Sequence, residues 1–264
     1  MTRRWGAAAV VAVGLILTAA SRQGLTKIAE QDPKLLTTRT TRSQGAATNY
    51  VAQQRHGFSI WVDEGLLAGQ REFGDAALAE LDAQLHQIVR KVRPPALERL
   101  RTIAIWLGVA DPVAPCACYH PSAEWLQANG FDPQKASAVE IANAANFVAW
   151  TREQPWMVLH ELAHGIDDRF LQAGDGAESL GGRLDTLHAA AKASGRYAQV
   201  LHWDGATVPH YALNTSDEYF AEASEAWLGV NDFFPFVQSE LLQHDPDLAA
   251  LLREVWGEPI TSRG

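Results

Sequence analysis

The feature that most constrains this chain is the pentapeptide His-Glu-Leu-Ala-His at residues 160–164. Positions i and i+4 of an α-helix lie on the same face, so a helix here places the imidazoles of His160 and His164 side by side. Two imidazoles in that arrangement can share one zinc ion at ~2.0–2.1 Å. The flanking residues from 156 to 163 are largely apolar, and a buried helix holds two histidines only where they have polar partners. The pentapeptide therefore predicts a zinc-binding helix.

Glu161 follows the first histidine directly. From that position its carboxylate can reach a zinc-bound water without binding the metal itself. Zinc lowers the pKa of such a water to about 7, and a neighbouring carboxylate can then take the proton. We predict that Glu161 is the general base of a hydrolytic reaction.

A catalytic zinc site also needs a third protein ligand and an open position. A metzincin would have Gly and His at positions that hold Asp167 and Phe170 here, so the third ligand must come from another segment. The best candidate segment is 214–227, because its small residues allow a helix to approach the zinc helix closely. In it we predict Glu218 as the third ligand. Glu222, one turn later, is predicted to accept a hydrogen bond from a ligand imidazole.

Other polar residues near this segment have competing interpretations. Tyr211 lies seven residues before Glu218, and a phenol near zinc can donate a hydrogen bond to the oxyanion of a tetrahedral intermediate. His210 is the competing candidate for that role. Asp217 is the alternative third ligand, and Glu225 is expected on a solvated face of the helix.

The spacing of these motifs resembles a known family. The sequence His-Glu-Leu-Ala-His-Gly-Ile-Asp-Asp, followed by Tyr211 and by Glu-Tyr-Phe-Ala-Glu-Ala at 218–223, is similar to the catalytic domain of anthrax lethal factor and related gluzincin-type metallopeptidases. The similarity covers roughly residues 155–228 and does not extend to the large delivery domains of the toxin. A toxin role is therefore not implied.

The resemblance implies a zincin fold and a peptidase activity. The residues that it implies to act at the metal are His160, His164 and Glu218 as ligands, Glu161 as base and Tyr211 as oxyanion donor. It also includes Asp168, which lies one helical turn beyond the second histidine and is expected to support a metal ligand.

Hydrophobic periodicity predicts strands in the first half of the chain and helices in the second. The predicted strands are 58–62, 102–107 and 137–141, and the predicted helices are 75–92, 154–171, 177–194, 216–228 and 233–256. We therefore predict an α+β, zincin-like fold, with a small mixed sheet in the N-terminal half, a helical C-terminal half and the zinc site between them. Residues 109–136 are predicted as a long loop. The strand at 137–141 is expected to be the edge strand on which an extended peptide binds.

The N-terminus indicates export. Arg3 and Arg4 precede an uncharged run at 6–20, which is typical of a signal peptide cleaved after Ala20 and slightly short for a membrane span. The alternative is an uncleaved N-terminal anchor. We divide the chain into this signal or anchor at 1–20, a linker at 21–56 and a metallopeptidase domain at 57–264. Either interpretation places the domain outside the cytoplasm, as a periplasmic, secreted or membrane-anchored protein.

Charge and cysteine content restrict the partners. Lys and Arg number 22 against 31 Asp and Glu, and the net charge of −9 argues against nucleic acid or anionic membrane as the main partner. Membrane contact is expected only through an uncleaved N-terminus. Cys116 and Cys118 are too close in sequence for an unstrained disulfide. A further hypothesis is that one of these thiolates caps the zinc in a latent form.

Together these features predict an exported zinc-dependent metallopeptidase that hydrolyses a peptide or protein substrate. Two alternatives remain open from the sequence. One is a zinc-dependent amidase that acts on a non-protein amide of the cell wall, because the same zinc and water chemistry serves both reactions. The other is a non-catalytic binding protein that zinc stabilises, although such a protein has no need of Glu161.

Overall fold

The structure, a computed structural model, describes residues 49–110, 117–174 and 176–260. The predicted signal or anchor at 1–20 and most of the predicted linker lie outside the described residues. Within the described part, no helix combines the length and apolarity needed to cross a membrane. The fold is mixed α/β, with a sheet formed by the N-terminal half and helices predominating in the C-terminal half.

The main sheet has five strands among the described residues. They are β1 (Tyr50–Arg55), β2 (Phe58–Asp63), β3 (Ile105–Leu107), β4 (Ala117–His120) and β5 (Ala138–Ile141). Their spatial order is β1-β2-β3-β5-β4. The three inner strands run parallel, whereas β1 and β4 pair antiparallel at the two edges. The sheet is therefore mixed, as predicted.

Strand β1 corrects the predicted domain boundary, because it lies within the predicted linker at 21–56. It pairs with β2 through a tight turn in which His56 and Gly57 both adopt positive φ angles of 52° and 86°. The strand is at an edge of the sheet and several of its side chains are exposed. Its polar sequence therefore lacks the hydrophobic alternation that would have identified it.

The predicted edge strand at 137–141 is a strand but not an edge. It forms β5, which pairs with β3 on one side and with β4 on the other. Strand β4 forms the edge, within the segment 109–136 that was predicted as loop. A strand of four residues between turn-forming residues has too short a pattern to separate it from loop.

The helices surround this sheet. They are α1 (Glu64–Ala68), α2 (Arg71–Lys91), α3 (Pro94–Leu100), α4 (Ala123–Ala128), α5 (Ala144–Trp150), α6 (Met157–Ile166), α7 (Leu180–Ser194), α8 (Ser216–Leu228), α9 (Gln238–His244) and α10 (Pro246–Trp256). A short hairpin, β6 (Val200–Leu201) and β7 (Thr207–Val208), follows α7. Helix α8 matches its prediction residue for residue. The C-terminal helices predicted over 233–256 are α9 and α10, which meet at Asp245, whose side chain caps α10 just before Pro246.

Helix α6 lies at the centre of the molecule. Nine of its ten residues are buried, and it packs against β4 and β5 on one side and along α8 on the other. It continues into a single π-helical turn at Asp167–Leu171. The packing is close: a Cβ added at Gly165 would lie 3.0 Å from the Tyr119 ring of β4. The helix that carries the pentapeptide is thus fixed between the sheet and α8.

The end of α8 packs on the start of α6 through Gly229. A Cβ at this position would lie 1.9 Å from the indole of Trp156, the residue that precedes α6. We expect Gly229→Ala to reduce the free energy of unfolding by about 1–3 kcal/mol, because the indole must move away from a close-packed position. Denaturant titration measures this loss. Gly69→Ala is the control, since its Cβ meets its nearest neighbour at 3.5 Å. Equal stability of Gly229→Ala and the wild type would contradict the packing described here.

Candidate metal centre

The structure brings together the three predicted metal ligands. His160 and His164 are one turn apart on α6, with ring centroids 4.8 Å apart. Glu218 projects from the first turn of α8. Its Oε2 lies 3.1 Å from His160 Nε2 and 3.4 Å from His164 Nε2. Residues 58 and 54 positions apart in sequence therefore converge on one point.

This geometry fits a zinc ion. Ligand atoms at ~2.0–2.1 Å from a tetrahedral zinc lie about 3.3 Å from one another, which agrees with the two distances from Glu218. Two imidazoles and one carboxylate are also the donor types of catalytic zinc sites. His160 is fully buried, whereas the side chains of His164 and Glu218 are 14 % and 13 % exposed. The site is therefore accessible to solvent on the side of these two residues.

The electrostatics of the three groups agree with this role. Burial alone would raise the pKa of Glu218, but the two imidazoles outweigh it and hold that pKa well below its usual range. Burial would lower the pKa of His160, but its hydrogen bonds with Glu218 and Glu225 raise it instead. The carboxylate is thus ionised, as a metal ligand must be, and the imidazoles that compensate it would release protons when they bind a metal.

Local structure explains the position of Glu218. Helix α8 begins after Thr215, whose hydroxyl accepts a hydrogen bond from the backbone N–H of Glu218 at 3.3 Å. A carboxylate in the first turn of a helix is also favoured by the helix dipole.

Glu161 is nearly fully buried, with 2 % of its surface exposed. Burial raises the pKa of its carboxyl above the usual value, and the charges of the neighbouring histidines partly oppose this. The backbone N–H of Tyr119 in β4 donates a hydrogen bond to it. The edge strand thus contacts the residue predicted to be the general base. A raised pKa suits a group that must accept a proton near neutral pH.

Tyr211 lies beside the three ligands, on a 3₁₀ turn at Tyr211–Leu213. Its hydroxyl is hydrogen-bonded to Glu218, and its pKa is raised by burial and by the charge of that carboxylate. His210, the competing candidate, is buried beside Phe233 instead, with ring centroids 4.9 Å apart. Its Nδ1 accepts a hydrogen bond from the backbone of Ala212 at 3.1 Å. Burial lowers its pKa to about 3, so the ring is neutral.

The hydrogen-bond partner of His160 differs from the predicted one. Glu225 Oε1 lies 2.8 Å from His160 Nδ1, whereas Glu222 Oε1 is 3.9 Å away, beyond hydrogen-bond distance. Glu225 is also fully buried, although it was expected on a solvated face. Helical residues are about 100° apart, so a residue seven positions after Glu218 lies within about 20° of it, and one four positions after lies about 40° away. The seven-residue spacing between Glu218 and Glu225 is the sequence feature that indicates that both lie on the same face of α8.

The structure places Asp168 in contact with strand β4. Its Oδ2 accepts a hydrogen bond from the Tyr119 hydroxyl at 2.7 Å, which ties β4 to the residues after α6. This partner comes from β4, a strand within the segment predicted as loop, so the contact could not be predicted from the spacing around α6.

A second group of possible metal ligands lies in the main sheet. Cys118 Sγ is 3.5 Å from His120 Nε2, which is 2.7 Å from Glu140 Oε2. The Lys135 ammonium pairs with the other oxygen of Glu140. Side chains alternate along a strand, so Cys118 points away from the sheet face that Tyr119 presents to α6. Capping of the zinc by Cys118 is therefore ruled out, and Cys116 lies outside the described residues.

Comparisons with known proteins found no match to this chain among family models, curated proteins or solved structures. The similarity to gluzincin-type metallopeptidases thus stays a prediction from the motifs around residues 155–228. What this site can do is inferred from its own geometry.

The ion pair between Glu140 and Lys135 gives a test of stability against pH. Burial alone would raise the pKa of Glu140, but His120 and Lys135 outweigh it and lower the pKa from 4.5 to about 2. Because the pKa of Glu140 is lowered in the folded protein, its ionised carboxylate adds to the free energy of unfolding above pH 4.5. That contribution is lost as the pH falls towards 2. We expect Glu140→Gln to cost about 3–5 kcal/mol near pH 7, because the buried ammonium loses its partner.

This difference in the free energy of unfolding should shrink below pH 4.5 in denaturant titrations at a series of pH values. Glu254→Gln is the control, because it removes an exposed ion pair with Arg183 and should change stability by less than about 1 kcal/mol. A loss for Glu140→Gln that does not vary with pH would show that charge is not the cause.

Proposed function

We propose that this chain is an exported zinc-dependent metallopeptidase. The observation that carries the proposal is the convergence of His160, His164 and Glu218, in which a single carboxylate oxygen lies 3.1 and 3.4 Å from the two imidazole nitrogens. The spacing matches a tetrahedral zinc site with three protein ligands. Such a site retains one position for water or substrate, which distinguishes catalytic zinc sites from structural ones.

Zinc held by these ligands would supply an acidified water and would polarise a substrate carbonyl. Glu161 would take a proton from the attacking water and would transfer it to the leaving amine. Burial of Glu161 supports this role because it raises the proton affinity of the carboxylate. Tyr211 donates a hydrogen bond to the oxyanion that forms on the substrate, and its raised pKa keeps the phenol protonated at neutral pH.

The edge strand supports a peptide or protein as the substrate. Strand β4 has only β5 as a neighbour among the described residues, and it adjoins α6. An extended peptide can add to such an edge through backbone hydrogen bonds and cross the metal site. We therefore propose a peptide or protein substrate in an extended conformation. Export is proposed from the positive start and apolar run of residues 1–20.

Metal content tests the ligand set. Elemental analysis of the purified protein should find one zinc per chain. Glu218→Ala removes a direct ligand, so we expect its zinc affinity to fall by more than the roughly 10–100-fold typical of lost supporting partners. Asp217→Ala is the control, because it removes the adjacent, 45 % exposed carboxylate. Loss of zinc in the control instead of in Glu218→Ala would move the third ligand to Asp217.

Glu161→Gln tests the catalytic role separately from metal binding. The variant should keep its zinc and its stability, and its kcat on a peptide found by library screening should fall by about 10²–10⁴-fold because the base is lost. Full activity of this variant would refute the assigned base. If the wild type binds zinc but releases product only from cell-wall material, the amidase alternative replaces the peptidase.

A further inference from the structure

Glu225 contacts the imidazole of His160 at Nδ1, on the side of the ring opposite the candidate metal centre. Its Oε1 lies 2.8 Å from His160 Nδ1 and also accepts a hydrogen bond from Gln154 Nε2 at 2.9 Å. Its Oε2 has no hydrogen-bond partner in the described part of the protein. Both contacts therefore fall on one oxygen of a carboxylate that solvent does not reach.

The amide of Gln154 helps to fix the carboxylate beside the imidazole. Gln154 Nε2 donates to Glu225 Oε1, and the same oxygen of an ionised carboxylate can also accept a hydrogen bond from His160 Nδ1. A histidine with its proton on Nδ1 presents the lone pair of Nε2. Nε2 is the nitrogen that faces Glu218 at 3.1 Å and belongs to the candidate metal centre. In the metal-free ring, Nε2 is hydrogen-bonded to Glu218; with zinc bound at Nε2, the contact with Glu225 would hold the remaining proton on Nδ1, which is the tautomer that zinc requires.

Three separate segments meet at this contact. Gln154 belongs to the turn between α5 and α6, where its backbone N–H donates to Trp150 at 2.9 Å. His160 lies on α6 and Glu225 on α8. The side chain of Gln154 is buried, so the carboxylate cannot relax towards water. The position of the imidazole is therefore determined by packing among three segments and not by α6 alone.

The two histidines differ in whether a carboxylate lies within hydrogen-bond distance of Nδ1. His164 Nδ1 lies 3.9 Å from Asp217 Oδ2, and the Asp217 side chain is 45 % exposed. That distance exceeds a hydrogen bond. His160 is thus the rigidly oriented ligand, and His164 is the one at the solvent-exposed side.

We infer that Glu225, held by Gln154, is a positioning residue that fixes the tautomer and orientation of His160 for zinc. The inference rests on the proposed function and assigns the supporting role to Glu225 in place of Glu222. An acceptor carboxylate on a ligand imidazole raises its basicity and metal affinity, and its loss typically costs about 10–100-fold in affinity.

The experiment compares three single variants of the full chain with the wild type. Zinc affinity is measured by competition with a chelator, and the ligand field by the visible spectrum of the Co²⁺-substituted protein. Glu225→Gln should bind zinc about 10–100-fold more weakly and show an altered Co²⁺ spectrum. Glu222→Gln and Asp217→Asn are the matched controls. Both should stay within about threefold of the wild type, because neither makes a hydrogen bond to a ligand imidazole.

Folding is monitored separately in the metal-free proteins. If Glu225→Gln is unfolded without metal, Gln154→Ala provides the second test, because it leaves the carboxylate of Glu225 in place. This variant should weaken zinc binding by a smaller factor and shift the Co²⁺ spectrum in the same direction. Wild-type affinity and spectrum in the folded Glu225→Gln variant would overturn the inference while leaving the peptidase proposal intact. An equal loss in Glu222→Gln would also overturn it. A wild type that binds no zinc would refute the proposed function, and the positioning role with it.

Discussion

The packing of α8 along α6 is the interaction on which the candidate site depends. Both nitrogens of one imidazole are held by residues of the same neighbouring helix: His160 Nε2 lies near Glu218 and Nδ1 near Glu225. The two carboxylates are seven residues apart, which is close to two helical turns, so both lie on the face of α8 that meets α6. A small rotation of either helix would break both contacts together. The register between the helices therefore determines whether a metal site exists.

This arrangement concentrates negative charge inside the protein. Glu161, Glu222 and Glu225 are all buried, and burial is the main reason that their pKa values are raised. Buried carboxylates are costly unless protons, hydrogen bonds or cations compensate them. The hydrogen bonds to Glu225 supply part of that compensation, and a zinc ion on the neighbouring imidazole would supply more. Metal binding and the stability of the helix pair are therefore expected to depend on each other.

Residues that act through helical spacing could be predicted from the sequence, and those that depend on tertiary geometry could not. The pairing of His160 with His164 follows from the i, i+4 rule, and α8 was bounded correctly because its cap and its apolar periodicity agree. The seven-residue spacing indicates that Glu225 shares the face of Glu218, but whether it reaches an imidazole depends on how two helices cross. Asp168 instead contacts Tyr119, 49 residues away in sequence, on a strand that was predicted as loop. Strand β4 was missed because a four-residue strand shows almost no alternation.

The two faces of strand β4 make different contacts. One face contacts α6 and the residues after it, and the other contacts the polar cluster in the sheet. The side chain of Tyr119 is directed to α6, where its hydroxyl donates to Asp168, while its backbone N–H donates to Glu161. The next residue, His120, points to the opposite face and is hydrogen-bonded to Glu140 of β5, whose other oxygen pairs with Lys135. This buried hydrogen bond between β4 and β5 resists sliding, since a shift in register would leave the imidazole without its partner. The polar cluster on one face of the sheet thus holds β4 in register, and that register sets the position of the proposed general base on the other face.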